Sequence, residues 1–256
     1  MRLNSPLPKL EGRANDTKRI RNLNLSICGK IFRETIIKFA NAEEEKSNDY
    51  QEICLGVLMY PEGDKSVSPS GRMPKNGWYF DSIIRQEPID DDNLNPEDTL
   101  EEFKPIADED LAYYKQETER LDQETDKAIF ADFGFTGFGD IALVPAPWLK
   151  NPPKGIRDVE EWYMSTVIRQ DYVYEVFDRQ CEIALNNLAK IYNAVGDRVT
   201  VILVSATDFG MQQGLLVSPN SYRELYKPFH IRVNDWIHTN TTWKTFIHSP
   251  AVQLFH

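Results

Sequence analysis

Residues 199–205 read Val-Thr-Val-Ile-Leu-Val-Ser, a short run that is rich in β-branched residues and almost entirely apolar. A strand of this composition is buried on both faces, as in a parallel sheet covered by helices. Before it, apolar residues recur at spacings of three and four over about 172–195, which predicts a helix that ends at Gly196. After it, Ser218-Pro219 predicts the cap and first position of another helix.

The same alternation extends in both directions along the chain. Residues 128–133 (AIFADF) and 243–248 (WKTFIH) are further strand candidates, and a shorter helix is predicted over about 156–169. This order of elements predicts consecutive βα units with parallel strands: strand, loop, helix, helix, strand, helix and strand. Such units build a doubly wound sheet or a (β/α)₈ barrel, and both place their chemistry at the carboxyl ends of the strands.

Composition excludes several classes of protein. The 256 residues include 40 acidic and 29 basic ones, a net charge of −11, which argues against nonspecific binding of nucleic acid or of anionic membranes. No apolar run is long enough for a membrane span, and the first residues lack the apolar core of a secretory signal. The three cysteines are far apart and form neither a disulfide framework nor a zinc-ribbon spacing. The sequence therefore predicts a cytoplasmic protein with reduced thiols and enough apolar material for a sizeable core.

Charge divides the chain unevenly. Residues 1–40 carry nine basic and three acidic residues, whereas residues 81–126 carry four basic and seventeen acidic ones. We expect an irregular basic region over 1–71 and a βα domain over 72–256. Within the acidic stretch, about 107–127 predicts a solvated surface helix whose thin apolar stripe includes Leu111, Tyr114 and Leu121.

A glycine-rich turn, GFTGFGD at 134–140, follows the strand candidate 128–133. Its order, GxxGxG, reverses the dinucleotide-binding pattern, and prolines rather than a helix follow it, so nucleotide binding is disfavoured. We interpret it as a tight turn at the rim of a pocket. Phe133, Phe135 and Phe138 line an apolar cleft there or belong to the core.

Three polar residues fall at predicted strand ends: Asp132, Asp208 and His248. A carboxylate just beyond a buried strand can take a proton or orient a substrate, but Asp208 could equally cap its own loop. A lone histidine is more often structural than a ligand, and no thiolate or imidazole stands near His248 at zinc-ligand spacing. The absence of a GxSxG elbow excludes a serine hydrolase of that type.

Together these segments resemble the uroporphyrinogen decarboxylase superfamily. The resemblance is strongest over 199–249, where a strand ends in TDFGMQ, similar to DDLGTQ, a helix reads SPNSYRELYKPF, similar to SPEMYRE…KPY, and the next strand ends in HS, similar to HSCG. Residues 72–200 fit the less distinctive parts of the family. The resemblance implies an incomplete (β/α)₈ barrel, with its site at the carboxyl face.

The HSCG-like end and the TDFGMQ loop are closer to the branch that transfers methyl groups between a corrinoid and a zinc-activated thiol. The resemblance then implies Asp208 as the catalytic loop carboxylate and His248 as the first zinc ligand. Asp132, Gly134 and Gln212 are the expected substrate contacts. Partners would be a small thiol, a corrinoid or tetrapyrrole-type substrate and a corrinoid protein.

The sequence departs from this family at both ends. Pro250 stands where the second zinc ligand, a cysteine, is expected, and the sequence ends eight residues after His248. We therefore expect a shortened, inactive member without tight zinc binding. Porphyrinogen decarboxylation is a second alternative, disfavoured because the family's opening Arg-containing strand is missing from 1–60. A noncatalytic binding or assembly partner is a third, and self-association remains open.

Overall fold

The computed structural model describes residues 56–61, 64–74, 81–83, 86–140, 144–146, 149, 154–211 and 214–248, together with strands 27–28 and 50–53. These residues form a mixed α/β structure with a parallel sheet and several helices. The proposed basic arm lies largely outside the described residues, as does Gln212.

In the described part of the chain, the parallel sheet consists of four strands. In the order in which they lie side by side, these are β1 (Ile27–Cys28), β6 (Ile129–Asp132), β7 (Val199–Ser205) and β10 (Lys244–Ile247). All three pairings are parallel, with Ala131 opposite Ile202 and Ile202 opposite Thr245. The predicted parallel strands are therefore confirmed within one residue at their ends.

Helices connect these strands, as the apolar spacing predicts. They are α1 (Asp108–Glu124) before β6, α2 (Val159–Ile168) and α3 (Gln170–Val195) between β6 and β7, and α4 (Lys227–Asn240) between β7 and β10. Gly196 ends α3 with a φ of 60°, which glycine adopts more readily than other residues. Before α4, Pro219–Ser221 forms a helical turn capped by the Ser218 side chain, and Tyr222–Tyr226 is π-helical.

A second sheet is antiparallel. It consists of β2 (Tyr50–Ile53), β3 (Gly56–Met59), β4 (Gly71–Pro74) and β5 (Asp81–Ser82), paired in chain order. Residues 50–53 and 56–59 are thus regular, although the sequence favours an irregular region over 1–71. The division at residue 72 falls within β4 and stays a prediction. A small hairpin, β8 (Gly210–Met211) and β9 (Gly214–Leu215), follows β7.

The main core lies between the parallel sheet and its helices. Helix α3 buries one complete face, which includes Val176, Phe177, Ala184 and Leu188. Helix α1 buries only Tyr114, Thr118 and Leu121, in agreement with the thin stripe predicted for a surface helix. Burial of apolar area at roughly 25 cal/mol per Å² makes this region the main source of stability.

Candidate functional site

Asp208 lies in the loop that follows β7, at the carboxyl edge of the parallel sheet. Its carboxylate is half-buried and accepts no hydrogen bond from any residue in the described part of the chain. Burial raises the pKa of this carboxyl group above its ordinary value, and the nearby His248 opposes that rise. A half-buried carboxylate with a raised pKa is suited to accept or release a proton.

The backbone on both sides of Asp208 is firmly held. The Thr207 hydroxyl donates to the Phe138 carbonyl oxygen at 2.9 Å, and the Tyr163 hydroxyl donates to the Asp208 carbonyl oxygen at 3.1 Å. The Phe209 carbonyl oxygen accepts from the Leu216 amide at 3.0 Å. The loop that carries Asp208 is therefore fixed by its backbone and by neighbouring side chains.

His248 follows β10, directly beside the end of β7. Its amide donates to the Ser205 carbonyl oxygen at 2.8 Å, while its side chain is exposed. The parallel pairing of β7 with β10 places Asp208 and His248 at adjacent strand ends, as predicted, and the His248 side chain lowers the pKa of Asp208. Their roles in catalysis and metal binding stay predictions.

The glycine turn after β6 borders the same edge. Gly134, Phe135 and Gly139 have φ angles of 72°, 63° and 60°, in the left-handed region that favours glycine. The Asp132 carboxylate accepts a hydrogen bond from the Gly134 amide at 3.0 Å, so this side chain caps its own turn. Gly134 is exposed, and its surroundings leave room for a ligand.

The turn is more deeply packed on its other side. A Cβ atom on Gly139 would lie 3.0 Å from Phe177 Cζ and 3.1 Å from both Trp162 Nε1 and the Tyr226 hydroxyl oxygen. Phe133 and Phe138 are buried in the core, whereas Phe135 is half-buried. Of the two alternatives for these rings, core packing is correct for Phe133 and Phe138.

Sequence reasoning missed two residues around the Asp208 loop. Tyr163, half-buried on α2, bonds to the Asp208 backbone, and Asp140 is buried with 6% of its surface exposed. Burial raises the pKa of the Tyr163 hydroxyl, and the Asp208 and Asp140 carboxylates raise it further. Asp140 ends the quoted GFTGFGD motif, but nothing in the sequence pattern marks Tyr163, which belongs to a helix distant along the chain.

An aromatic cluster lies behind the Asp208 loop. The Phe209 ring packs edge-on against Tyr222 and Tyr226, with ring centroids 5.1 and 4.9 Å away. His230, on α4, lies in the same cluster and is buried, which lowers its pKa to about 4 and keeps the imidazole neutral near pH 7. The cluster is therefore part of the core that supports the Asp208 loop.

A cavity of about 20 Å³ lies on the far side of the turn and is lined by Gly139, Asp140, Arg157 and Trp162, among others. Arg157 holds it together through a buried pair with Glu102, with nitrogen to oxygen distances of 2.7 and 2.9 Å. All five N–H donors of this guanidinium are used, because it also donates to three backbone carbonyl oxygens. Arg157 is therefore a structural anchor between loops.

Zinc does not fit the residues that the structure describes. A zinc site needs at least three protein ligands, and the described ranges contain no group of three histidine, cysteine or acidic side chains that could hold a metal ion. Cys181 is buried on α3, and burial raises the pKa of its thiol to about 11, which disfavours the thiolate that binds metals.

Comparisons with protein-family models, with curated proteins and with solved structures found no match to this chain. Among the helices that the structure describes, none is both long and apolar enough to cross a membrane.

Proposed function

We propose that this chain is a member of the uroporphyrinogen decarboxylase superfamily, related to the corrinoid:thiol methyltransferases, whose parallel strands are part of a (β/α)₈ barrel. It binds a small thiol or a corrinoid or tetrapyrrole-type molecule at the carboxyl edge of the sheet. The observation that supports this most is the half-buried Asp208 carboxylate, which accepts no hydrogen bond from the described residues and lies at the strand end next to that of His248. The order of strands and helices over 129–247 is also compatible with such a barrel.

Asp208 is the group that handles a proton in this proposal. A thiol becomes a nucleophile when its S–H bond breaks, and a carboxylate with a raised pKa is a better proton acceptor than an ordinary one. The exposed His248 lies at the same edge of the sheet, and the buried aromatic cluster behind Phe209 supports the loop that carries Asp208. We propose that this chain does not turn over, because Pro250 stands where the resemblance places the second zinc ligand.

Charge favours a corrinoid over a polycarboxylate porphyrin. Asp208 and Asp140 both act electrostatically on Tyr163, and His248 is the one basic side chain among the described residues that affects the pKa of Asp208. Several carboxylates on one ligand would be repelled there, since like charges at short range destabilise each other. Porphyrinogen decarboxylation is therefore the weaker alternative for this site.

Spectral titrations with methylcobalamin and with uroporphyrin test the proposal. We expect methylcobalamin to bind more tightly, and Asp208→Asn and His248→Ala to weaken that binding by about tenfold each, the loss of one charged contact. Asp235→Asn and His238→Ala, exposed positions on α4, are matched controls that should bind as the parent chain does. Tighter binding of uroporphyrin, or binding of methylcobalamin that is insensitive to both site variants, would contradict the proposal.

Association with another chain is a second candidate role, and a different observation supports it. Among the described strands, β10 lies at the end of the parallel sheet, and Phe246 and Ile247 on it are 46% and 44% exposed. Exposed apolar residues on an edge strand favour pairing with another chain. Sedimentation at several concentrations tests this, and Phe246→Lys should reduce any association that depends on the edge.

A further inference from the structure

Three consecutive residues after β7 are each anchored to a different part of the molecule. Thr207 is bonded to the glycine turn, Asp208 to α2 through Tyr163, and Phe209 to the chain after β9. Of these anchors, the Thr207 bond alone joins the loops that follow two neighbouring strands, β6 and β7.

The Thr207 hydroxyl both accepts and donates. It accepts from the Ser205 hydroxyl at 3.0 Å and donates to the Phe138 carbonyl oxygen at 2.9 Å, and the Thr207 amide donates back to the Ser205 hydroxyl at 3.2 Å. Ser205 and Thr207 are 2% and 1% exposed, so water does not compete for these bonds. A hydroxyl can do both at once, whereas a methyl group of similar size can do neither.

The chain of bonds continues to the third strand end. The Ser205 carbonyl oxygen accepts the His248 amide, so one buried network joins the turn after β6, the loop after β7 and the end of β10. Asp208 lies between these anchors but takes no side-chain bond from them. The position of Asp208 is therefore set by the hydrogen bonds that hold Thr207 on one side and Phe209 on the other.

We propose that Thr207 is the positioning residue of the candidate site, whose hydroxyl fixes the Asp208 loop against the glycine turn and thereby sets where the Asp208 carboxylate stands relative to His248. This rests on the proposed role of Asp208, but the positioning itself can be measured without a substrate. Replacement by valine conserves the shape and leaves the Phe138 carbonyl oxygen buried without its donor, which releases the loop.

Three variants separate positioning from general packing. Thr207→Val removes the hydroxyl, Thr207→Ser restores it, and Thr118→Val is a matched control. Thr118 is also fully buried, but its hydroxyl bonds only to the Tyr114 and Lys115 carbonyl oxygens of its own helix. Any effect common to Thr207→Val and Thr118→Val reports global stability.

Hydrogen exchange is the primary measurement. The Leu216 amide reports the Phe209 anchor, the His248 amide reports the bond from β10 to the Ser205 carbonyl oxygen, and the amides of α3 report global opening. We expect Thr207→Val to accelerate exchange at Leu216 and His248 by about tenfold relative to α3, the effect of losing one hydrogen bond. Thr207→Ser should stay near the parent chain, and Thr118→Val should change no ratio between these amides.

Binding of methylcobalamin is the second measurement. If the proposed function holds, Thr207→Val should weaken it about tenfold and Thr207→Ser should restore it. Selective acceleration of exchange without binding by any variant, the parent chain included, would uphold Thr207 as a positioning residue and overturn the proposed function. Unchanged exchange ratios in Thr207→Val would overturn the positioning role, whether or not the parent chain binds.

Discussion

Two aspartates lie at opposite ends of the strand β7 and differ in their hydrogen bonds and in the direction in which their pKa is shifted. Asp197, before the strand, accepts hydrogen bonds from the Tyr192 and Thr242 hydroxyls, at 2.9 and 2.8 Å, and these bonds hold the pKa of its carboxyl group below the ordinary value. Asp208, after the strand, has a raised pKa and accepts no such bond from the described residues. The carboxylate at the amino edge is thus stabilised in its charged form, whereas the carboxylate at the carboxyl edge is destabilised by burial.

The largest effect should come from the amino edge, at Trp243. This ring is 1% exposed, packs against Tyr192 and donates its indole N–H to the Gly196 carbonyl oxygen at 3.0 Å. We expect Trp243→Ala to lower the free energy of unfolding by about 3–5 kcal/mol through the cavity it creates. Trp243→Phe, which keeps a ring and loses the hydrogen bond, should cost about 1 kcal/mol. If chemical denaturation shows the same loss in free energy of unfolding for both variants, packing of the ring does not explain the contribution of Trp243.

The glycine turn gives the next largest effect, and it tests whether the carboxyl edge is tightly built. Gly139→Ala combines a left-handed φ with contacts at 3.0–3.1 Å, so we expect a loss of about 2–4 kcal/mol. Gly134→Ala is the matched control, because its φ is also left-handed but no atom lies within 4 Å of the added Cβ. It should cost about 1 kcal/mol, the backbone strain alone. A loss as large at Gly134 as at Gly139 would contradict the packing described for the turn.

A smaller, pH-dependent effect is expected at Asp197. Because its pKa in the folded protein is lowered, its contribution to stability is present above the ordinary carboxyl pKa and disappears as the pH falls through the folded value. Asp197→Asn should therefore lower the melting temperature at about pH 6 and have little effect at about pH 3. A melting temperature that drops equally at both pH values would mean that charge is not involved.

The smallest effect, and the opposite in sign, is expected at Asp208. Its raised pKa means that the charged form is less favourable in the folded protein than in the unfolded chain. Ionisation of Asp208 therefore lowers stability as the pH rises past the ordinary carboxyl value. Asp208→Asn should raise the melting temperature slightly at about pH 7 and leave it unchanged at about pH 3. A decrease at about pH 7 would remove the contrast between the two ends of β7.

The sequence predicted the parallel strands and their helices well, because their signals are local. The β-branched run at 199–205 and the apolar spacing of α3 each specify an element without reference to the rest of the chain. It also placed Asp208 and His248 at neighbouring strand ends, since parallel strands bring their carboxyl ends to one edge. The roles of these residues and membership of the family remain predictions.

What could not be predicted depends on contacts between distant residues. Tyr163 reaches Asp208 across 45 residues, and Thr207 reaches Phe138 across 69. No periodic pattern records such a bond. The strands at 50–59 and 71–74 were missed for a related reason, because short antiparallel strands are specified by their turns as much as by alternation.

The π-helical turn at Tyr222–Tyr226 makes the helical segment before α4 sensitive to its length. A π turn holds about one residue more than an α turn, and one residue of an α-helix corresponds to a rotation of about 100°. The extra residue therefore sets the angular phase between Ser218, which begins the segment, and His230 on α4. Deleting Glu224, an exposed residue inside this turn, would convert it to ordinary helix and rotate Tyr222 away from His230 and Phe209. Substitutions at Glu224 should be tolerated where its deletion is not. The number of residues in this turn, rather than the side chain of Glu224, therefore determines how Tyr222 packs against Phe209 and His230.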